Sequence, residues 1–246
     1  EINQRIHYWT KYADCIICCQ FLDGMLRWDV LPVNTLVVPM DLFPKKEAFS
    51  NADGFNGEVV VTHTPNHRGF KGSEFIIDAI EKLRQEGYKI KLNVLEGVEN
   101  KELLRILNEE TDILVEQLIF DGYALSGIEG MANELAVIAN VGNGDAGRLL
   151  NTYSYLGECP IVSATPQSIK EKLKMLIDQP TLRENLGKAG RLYVEKYHSK
   201  DTMYYLFSNI YNKIWYGEDI ELLDLYHPLK SDYVKSNPIQ VPVIDG

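Results

Sequence analysis

The feature that most narrows the fold is a rhythm. Between residues 58 and 216, short apolar runs alternate with amphipathic stretches. GEVVVTHT, KIKLNVLEG, TDILVEQL, LAVIANV and PIVSA read as strands. The intervening stretches carry helical spacing. Ser73 to Glu86 places Ile76, Ile77, Ile80 and Leu83 on one face, and Gly87 stops it as a residue tolerant of positive φ should. KELLRILNEE and SGIEGMANE read as further helices. Two more are expected near 181–196 and 201–216, the second with Leu206, Ile210 and Ile214 four residues apart. Thr165-Pro166 reads as a helix start, a hydroxyl cap followed by a proline that needs no N–H. Strands apolar on both faces and separated by helices imply a parallel sheet covered on both sides. The predicted fold class is therefore α/β, a doubly wound Rossmann-like parallel sheet. Ligands of such sheets bind at the carboxyl ends of the strands.

The flanks lack this rhythm. Residues 1–57 hold two expected strands, ADCIICC and NTLVVPM, with FLDGMLRW between them. The segment is too short to bury a core alone and reads as the end of a neighbouring domain plus a linker. Residues 217–246 contain Pro228, Pro238 and Pro242 with little periodicity, and read as an extended tail. The chain lacks an initiator Met and opens mid-pattern, which reads as a piece of a longer protein.

Composition excludes some functions. With 25 Lys and Arg against 35 Asp and Glu, the net charge is −10. Such a chain repels phosphate backbones and anionic lipid at long range, so nucleic acid is not an expected partner. No apolar run approaches the roughly 20 residues of a membrane span, and the N-terminus lacks a signal-peptide core. Cys15 and Cys18 have CxxC spacing without a second pair, so Cys15, Cys18, Cys19 and Cys159 read as buried thiols in a reducing compartment. The histidines form no metal set.

Two segments fall where a ligand is expected. THTPNHRGFKGSEF leaves a strand, carries Arg68 and Lys71 among small residues, and enters a helix at Ser73. Arginine grips phosphate with a planar fork and lysine adds a point charge. The plainer reading is a solvated basic loop. FDGYALSGIEGMA places Asp121 after a strand and Glu129 eight residues on, inside a helix. The N–H groups of Gly122, Tyr123, Ala124, Leu125 and Ser126 would face an anion. Glu129 would reach a ribose diol and Asp121 the hydroxyls of a sugar. Taken alone, this pair of acids reads better as a turn cap and a surface carboxylate. GNGDAG is not a dinucleotide loop, because several strands precede it.

Together, the segments resemble family 4 retaining glycosyltransferases of GT-B fold. VVVTHTPNHRGFKGSEFIIDAIEKL is similar to the opening of that family's C-terminal, donor-binding domain. TDILVEQLIFDGYALSGIEGMANELAVIANVGNG resembles its later block, with an acid-x7-Glu motif. PIVSATPQSIKEKLKMLIDQPTLRENLGKAGRLYVEKYHS is similar to its closing helices. The likeness covers about residues 58–216, with residues 12–44 similar to the last strands of the acceptor-side domain.

The resemblance implies that Lys71 and Arg68 hold the diphosphate of a UDP- or GDP-linked sugar donor, without a metal. Glu129 would bind the ribose and Asp121 would face the transferred sugar. The acceptor, a glycan or lipid-linked molecule, would enter through the domain missing here. A cytoplasmic enzyme of polysaccharide biosynthesis, peripheral to the membrane in some family members, is implied. The sequence also departs from the family. Asp121 stands where Glu is usual, Pro65 where Arg is frequent, and Ala136 where Pro is common. Asn133, Glu134 and Leu135 replace a small, Gly-containing segment. A non-catalytic sugar-nucleotide-binding module and a sugar-nucleotide epimerase of the same fold remain as alternatives.

Overall fold

A computed structural model describes residues 2–18, 30–142 and 154–244. Five parallel strands form the central sheet: β3 (Val59–His63), β4 (Ile90–Val94), β5 (Ile113–Gln117), β6 (Ala136–Ala139) and β7 (Val162–Ser163), in the order β4-β3-β5-β6-β7. A separate two-stranded parallel sheet pairs β1 (Ile16–Cys18) with β2 (Val30–Pro32). The helices are α1 (Ile2–Tyr12), α2 (Arg68–Lys71), α3 (Ser73–Gln85), α4 (Asn100–Glu109), α5 (Leu125–Ala132), α6 (Ile169–Asp178), α7 (Pro180–Tyr197), α8 (Lys200–Tyr216) and the single turn α9 (Asp232–Lys235).

The two-residue period of a strand sorts the core into two layers. Val59, Val61, Ile113, Val115, Ala136 and Ile138 pack against α3 and α6. Leu114, Val137 and Ala139 face the other way, against α4, α5, α7 and α8. All five residues of β5 are buried, as a central strand covered on both faces must be. Strand order reverses between β3 and β5: the chain leaves β3 toward β4, then crosses back to β5. This is a switch point, where the loops on either side of it splay and leave a crevice.

The helices near 181–196 and 201–216 are α7 and α8, and Gly87 sits at φ +97° after α3. The structure departs from the sequence reading at four points. NTLVVPM is not a strand. Its backbone bonds elsewhere: Asn34 N–H to the Tyr155 hydroxyl (2.7 Å) and Val38 N–H to the His198 carbonyl (3.0 Å). The strand of this region lies earlier, at Val30–Pro32. Second, Ile2–Tyr12 is helical, which no stop or cap signal announced. Third, the helix expected from Thr165-Pro166 begins at Ile169. Thr165 to Ser168 form a turn whose Thr165 carbonyl accepts from the N–H groups of Ser168 and Ile169, so the cap acts one turn early.

Fourth, the C-terminal stretch is not extended throughout. Leu225, Tyr226 and Val234 enter the core, and Lys196 donates to the Val234 carbonyl at 2.8 Å. FLDGMLRW, Cys19 and residues 143–147 of GNGDAG lie outside the described residues. Cys15 and Cys159 are free thiols.

The segment after α5 holds one strained residue. Glu134 follows α5 at φ +57°, a left-handed conformation that favours glycine. Its carboxylate accepts from the Lys46 backbone N–H at 2.6 Å, a tie between the domain and residues 43–57. Arg191 adds to it by donating to the carbonyls of Phe43 and Ala132.

Candidate functional site

A cavity of about 350 Å³ opens at the carboxyl edge of the sheet, at the switch point. Its walls come from the loop after β3 (Thr64, Pro65, Asn66), the loop after β4, the start of α4, Lys71, and the first turns of α5. The sequence-nominated residues Lys71, Ala124, Leu125, Ser126 and Glu129 all line it. Lys71 and Glu129, 58 positions apart in the chain, therefore share one crevice.

Lys71 is brought there by α2, a single helical turn inside the basic loop that sequence reading treated as irregular. Gly72 ends that turn at φ +75° and starts α3 in the same residue. A side chain at Gly72 would be strained in φ and would stand 3.1 Å from Leu118 Cβ. The Lys71 carbonyl accepts from the Leu118 N–H at 3.1 Å, which locks α2 to the end of β5. His63, at the end of β3, adds a second lock. One ring nitrogen pairs with the Val115 carbonyl (2.7 Å) and the other with the Ser73 hydroxyl (2.8 Å). Desolvation pulls the His63 pKa down to about 4, assisted by the nearby Lys71 charge and opposed by the Val115 bond. The ring is thus neutral at neutral pH. It donates from Nδ1 to the carbonyl and accepts the hydroxyl proton at Nε2.

The Lys71 ammonium is not idle. It donates to Glu116 Oε1 at 3.2 Å and to Gln117 Oε1 at 3.0 Å, with only 9% of its side chain exposed. Glu116 itself is fully covered. Its Oε1 also accepts from the Ala124 N–H (2.9 Å) and the Ser126 hydroxyl (3.0 Å). A strand carboxylate therefore sits under the first turn of α5 and takes the role of a helix cap. Gln117 continues the network, donating to the Gly122 carbonyl at 2.8 Å. Gly122 N–H in turn donates to the Asn140 carbonyl at 2.6 Å.

Glu129 is 8% exposed, so it is no surface acid. Burial pushes its pKa up, an Asn100 hydrogen bond opposes this, and the charge of Glu116 reinforces it. The other nominated residues fall differently. Arg68 is exposed and pairs with Glu96 (2.8 Å) and Glu74 (3.3 Å), outside the cavity lining. Asp121 is half-buried in the β5–α5 turn and is not among the lining residues. The Tyr123 side chain turns into the core. Its hydroxyl meets that of Tyr193 (2.7 Å) and Nε2 of His198 (3.0 Å). Among the described residues no group of three or more His, Cys, Asp or Glu side chains could hold a metal ion. No described helix is long and apolar enough to cross a membrane.

Sequence reasoning missed Glu116, Gln117 and Asn100. The signal for the first two was present: a Glu-Gln pair closing an otherwise apolar buried strand. A charge there needs a partner, and the nearest nominated cation was Lys71.

No protein-family model and no curated protein matches the chain. Solved structures do. Sucrose-phosphate synthase from Thermosynechococcus elongatus is 18% identical, with a TM-score of 0.56 over 89% of this chain and 63% of that one. Anabaena HepE, solved in complex with UDP-glucose, is 13% identical, with a TM-score of 0.57 over 87% of this chain and 68% of that one. At these identities the likeness establishes the fold: a Rossmann-like α/β body of GT-B type. The chain spans less than two thirds of the synthase's length and 68% of HepE's.

Proposed function

We propose that the cavity binds the donor of a retaining glycosyltransferase, a nucleotide sugar linked through UDP or GDP. One observation carries this reading: a cation on α2, the first turn of α5 and the Glu129 carboxylate converge on one crevice at the switch point. A sugar nucleotide has matching parts in matching order, with an anionic diphosphate between two polyols. Lys71 and the α5 terminus suit the diphosphate. Glu129, a carboxylate with two acceptor oxygens, suits a ribose diol. Asp121, from the turn before α5, is assigned to the transferred sugar, and Arg68 to the cavity rim.

Transfer would break the bond between the anomeric carbon and the diphosphate oxygen. The leaving diphosphate gains negative charge in that step. Lys71 and the α5 dipole would stabilise it, which is a transition-state contribution and not merely a binding one. No metal is required in this scheme. The acceptor, a glycan or lipid-linked molecule in polysaccharide biosynthesis, would bind through a second domain, in a cytoplasmic enzyme at most peripheral to the membrane. HepE, whose fold is shared, was solved with UDP-glucose.

Calorimetric titration with UDP, GDP and ADP tests the reading. One of them should bind, and Glu129→Gln should weaken that binding at least tenfold. If none saturates the wild-type chain, the donor-site reading fails. A non-catalytic sugar-nucleotide-binding module is the second reading, favoured by the way Glu116 offsets the charge of Lys71. Turnover in the presence of the remaining domain separates the two.

A further inference from the structure

Glu116 occupies the position an anionic ligand would want. Its Oε1 receives the Lys71 ammonium, the Ala124 N–H and the Ser126 hydroxyl, and all three residues line the cavity. Those groups are the cation, the helix-terminal amide and the hydroxyl proposed above for a diphosphate. A backbone amide has one proton, and here it is given to Glu116. A serine hydroxyl also has one, spent in the same way. Lys71 has three, of which two go to Glu116 and Gln117. The cation, one helix-terminal amide and the hydroxyl are thus already engaged, and a diphosphate must take them from Glu116.

The other carboxylate oxygen strengthens the point. Glu116 Oε2 is buried and has no hydrogen-bond partner. It lies 2.4 Å from the position a Cβ at residue 127 would take, so the oxygen rests against the bare backbone of Gly127. Half of this carboxylate is therefore desolvated without compensation, a costly arrangement. Leu114, two residues earlier on the same face, is an ordinary apolar core residue.

We propose that Glu116 is a built-in counter-anion, which competes with the ligand's diphosphate for Lys71, Ala124 and Ser126 and so sets donor affinity low. The inference rests on the donor-site reading above and adds its regulation. Diphosphate and the Glu116 pairing are mutually exclusive: binding requires the three donors to turn from the carboxylate to the ligand. Glutamine at 116 keeps the acceptor oxygen and the shape while removing the competing charge.

The experiment compares UDP and GDP affinities of wild type, Glu116→Gln and Glu116→Leu by calorimetry, with thermal unfolding as a check on folding. Glu116→Gln should bind the preferred nucleotide at least tenfold more tightly. Lys71→Met should then cost a larger factor in the Glu116→Gln background than in wild type, because the ammonium is no longer shared. Glu116→Leu serves the same comparison if the glutamine variant folds poorly. Equal or weaker binding by the variants, with wild type still binding, overturns the counter-anion and makes Glu116 a support that positions Lys71. Silence from wild type and variants alike overturns the donor-site reading itself, and the inference with it.

Discussion

Two ion pairs flank the same crevice, and each uses a cation that the sequence nominated. Lys71–Glu116 lies under the crevice floor, with the carboxylate fully covered. Arg68–Glu96 lies on the rim, with about half of each side chain in water. Pairing at the rim raises the Arg68 pKa and lowers that of Glu96 through the hydrogen bonds between them. Both pairs look alike as a distance. They differ in what replaces them when broken. Water resolvates the rim pair, whereas nothing resolvates Glu116. The buried pair is therefore costly to break and yields only to a group that replaces its partner, whereas the rim pair yields to water.

The largest expected effect tests that distinction. Lys71→Met leaves Glu116 buried and unpaired, and should cost about 3–5 kcal/mol of stability in urea denaturation. Adding Glu116→Leu should restore most of it, because an apolar pair needs no compensation. A cost near zero for Lys71→Met would show that Glu116 is not truly desolvated.

The next effect concerns His63, which lies between β3 and α3 beside Lys71. It and His198 have pKa values pulled down to about 4, chiefly by desolvation. An unfolded histidine titrates near its ordinary 6.5. Between those values the unfolded chain binds protons that the folded chain refuses, so stability falls as pH falls from 6.5 toward 4. Above 6.5 neither state is protonated and the contribution is constant. Each histidine accounts for up to roughly 3 kcal/mol of the loss at pH 4. His63→Asn should flatten the slope of stability against pH over that window.

The smallest effect belongs to the rim. Arg68→Ala should leave the unfolding midpoint nearly unchanged, and any difference should vanish in 1 M salt, since exposed pairs are screened. A large, salt-resistant loss would place Arg68 in the same category as Lys71.

Much of the sheet was legible because burial on both faces forces a recognisable composition. VVVTH, ILVEQ and AVIA read as strands without help, and helices α3 and α8 showed their apolar stripes. Lys71 and Glu129 were legible as candidates because each follows a strand's carboxyl end. Glu116 was not, because a carboxylate inside a strand has no local signature. Whether it is buried, and against what, depends on a lysine 45 residues earlier. NTLVVPM failed for a related reason. Its apolar residues do enter the core, as Val38 does at 3% exposure, but its backbone partners are a tyrosine hydroxyl and the end of α7. β-propensity describes a surface that fits a sheet and does not supply the neighbouring strand.

The sequence by itself determined the layered α/β body and the edge of the sheet at which a ligand crevice forms. Periodicity and two-sided burial are local properties, and parallel connections leave few topologies. Only the tertiary structure decided the polarity of that crevice. Crossover connections bring the end of β5 beneath α2 and α5. There a strand carboxylate claims the protons of Lys71, Ala124 and Ser126, and chain order carries no record of which acceptor those protons find.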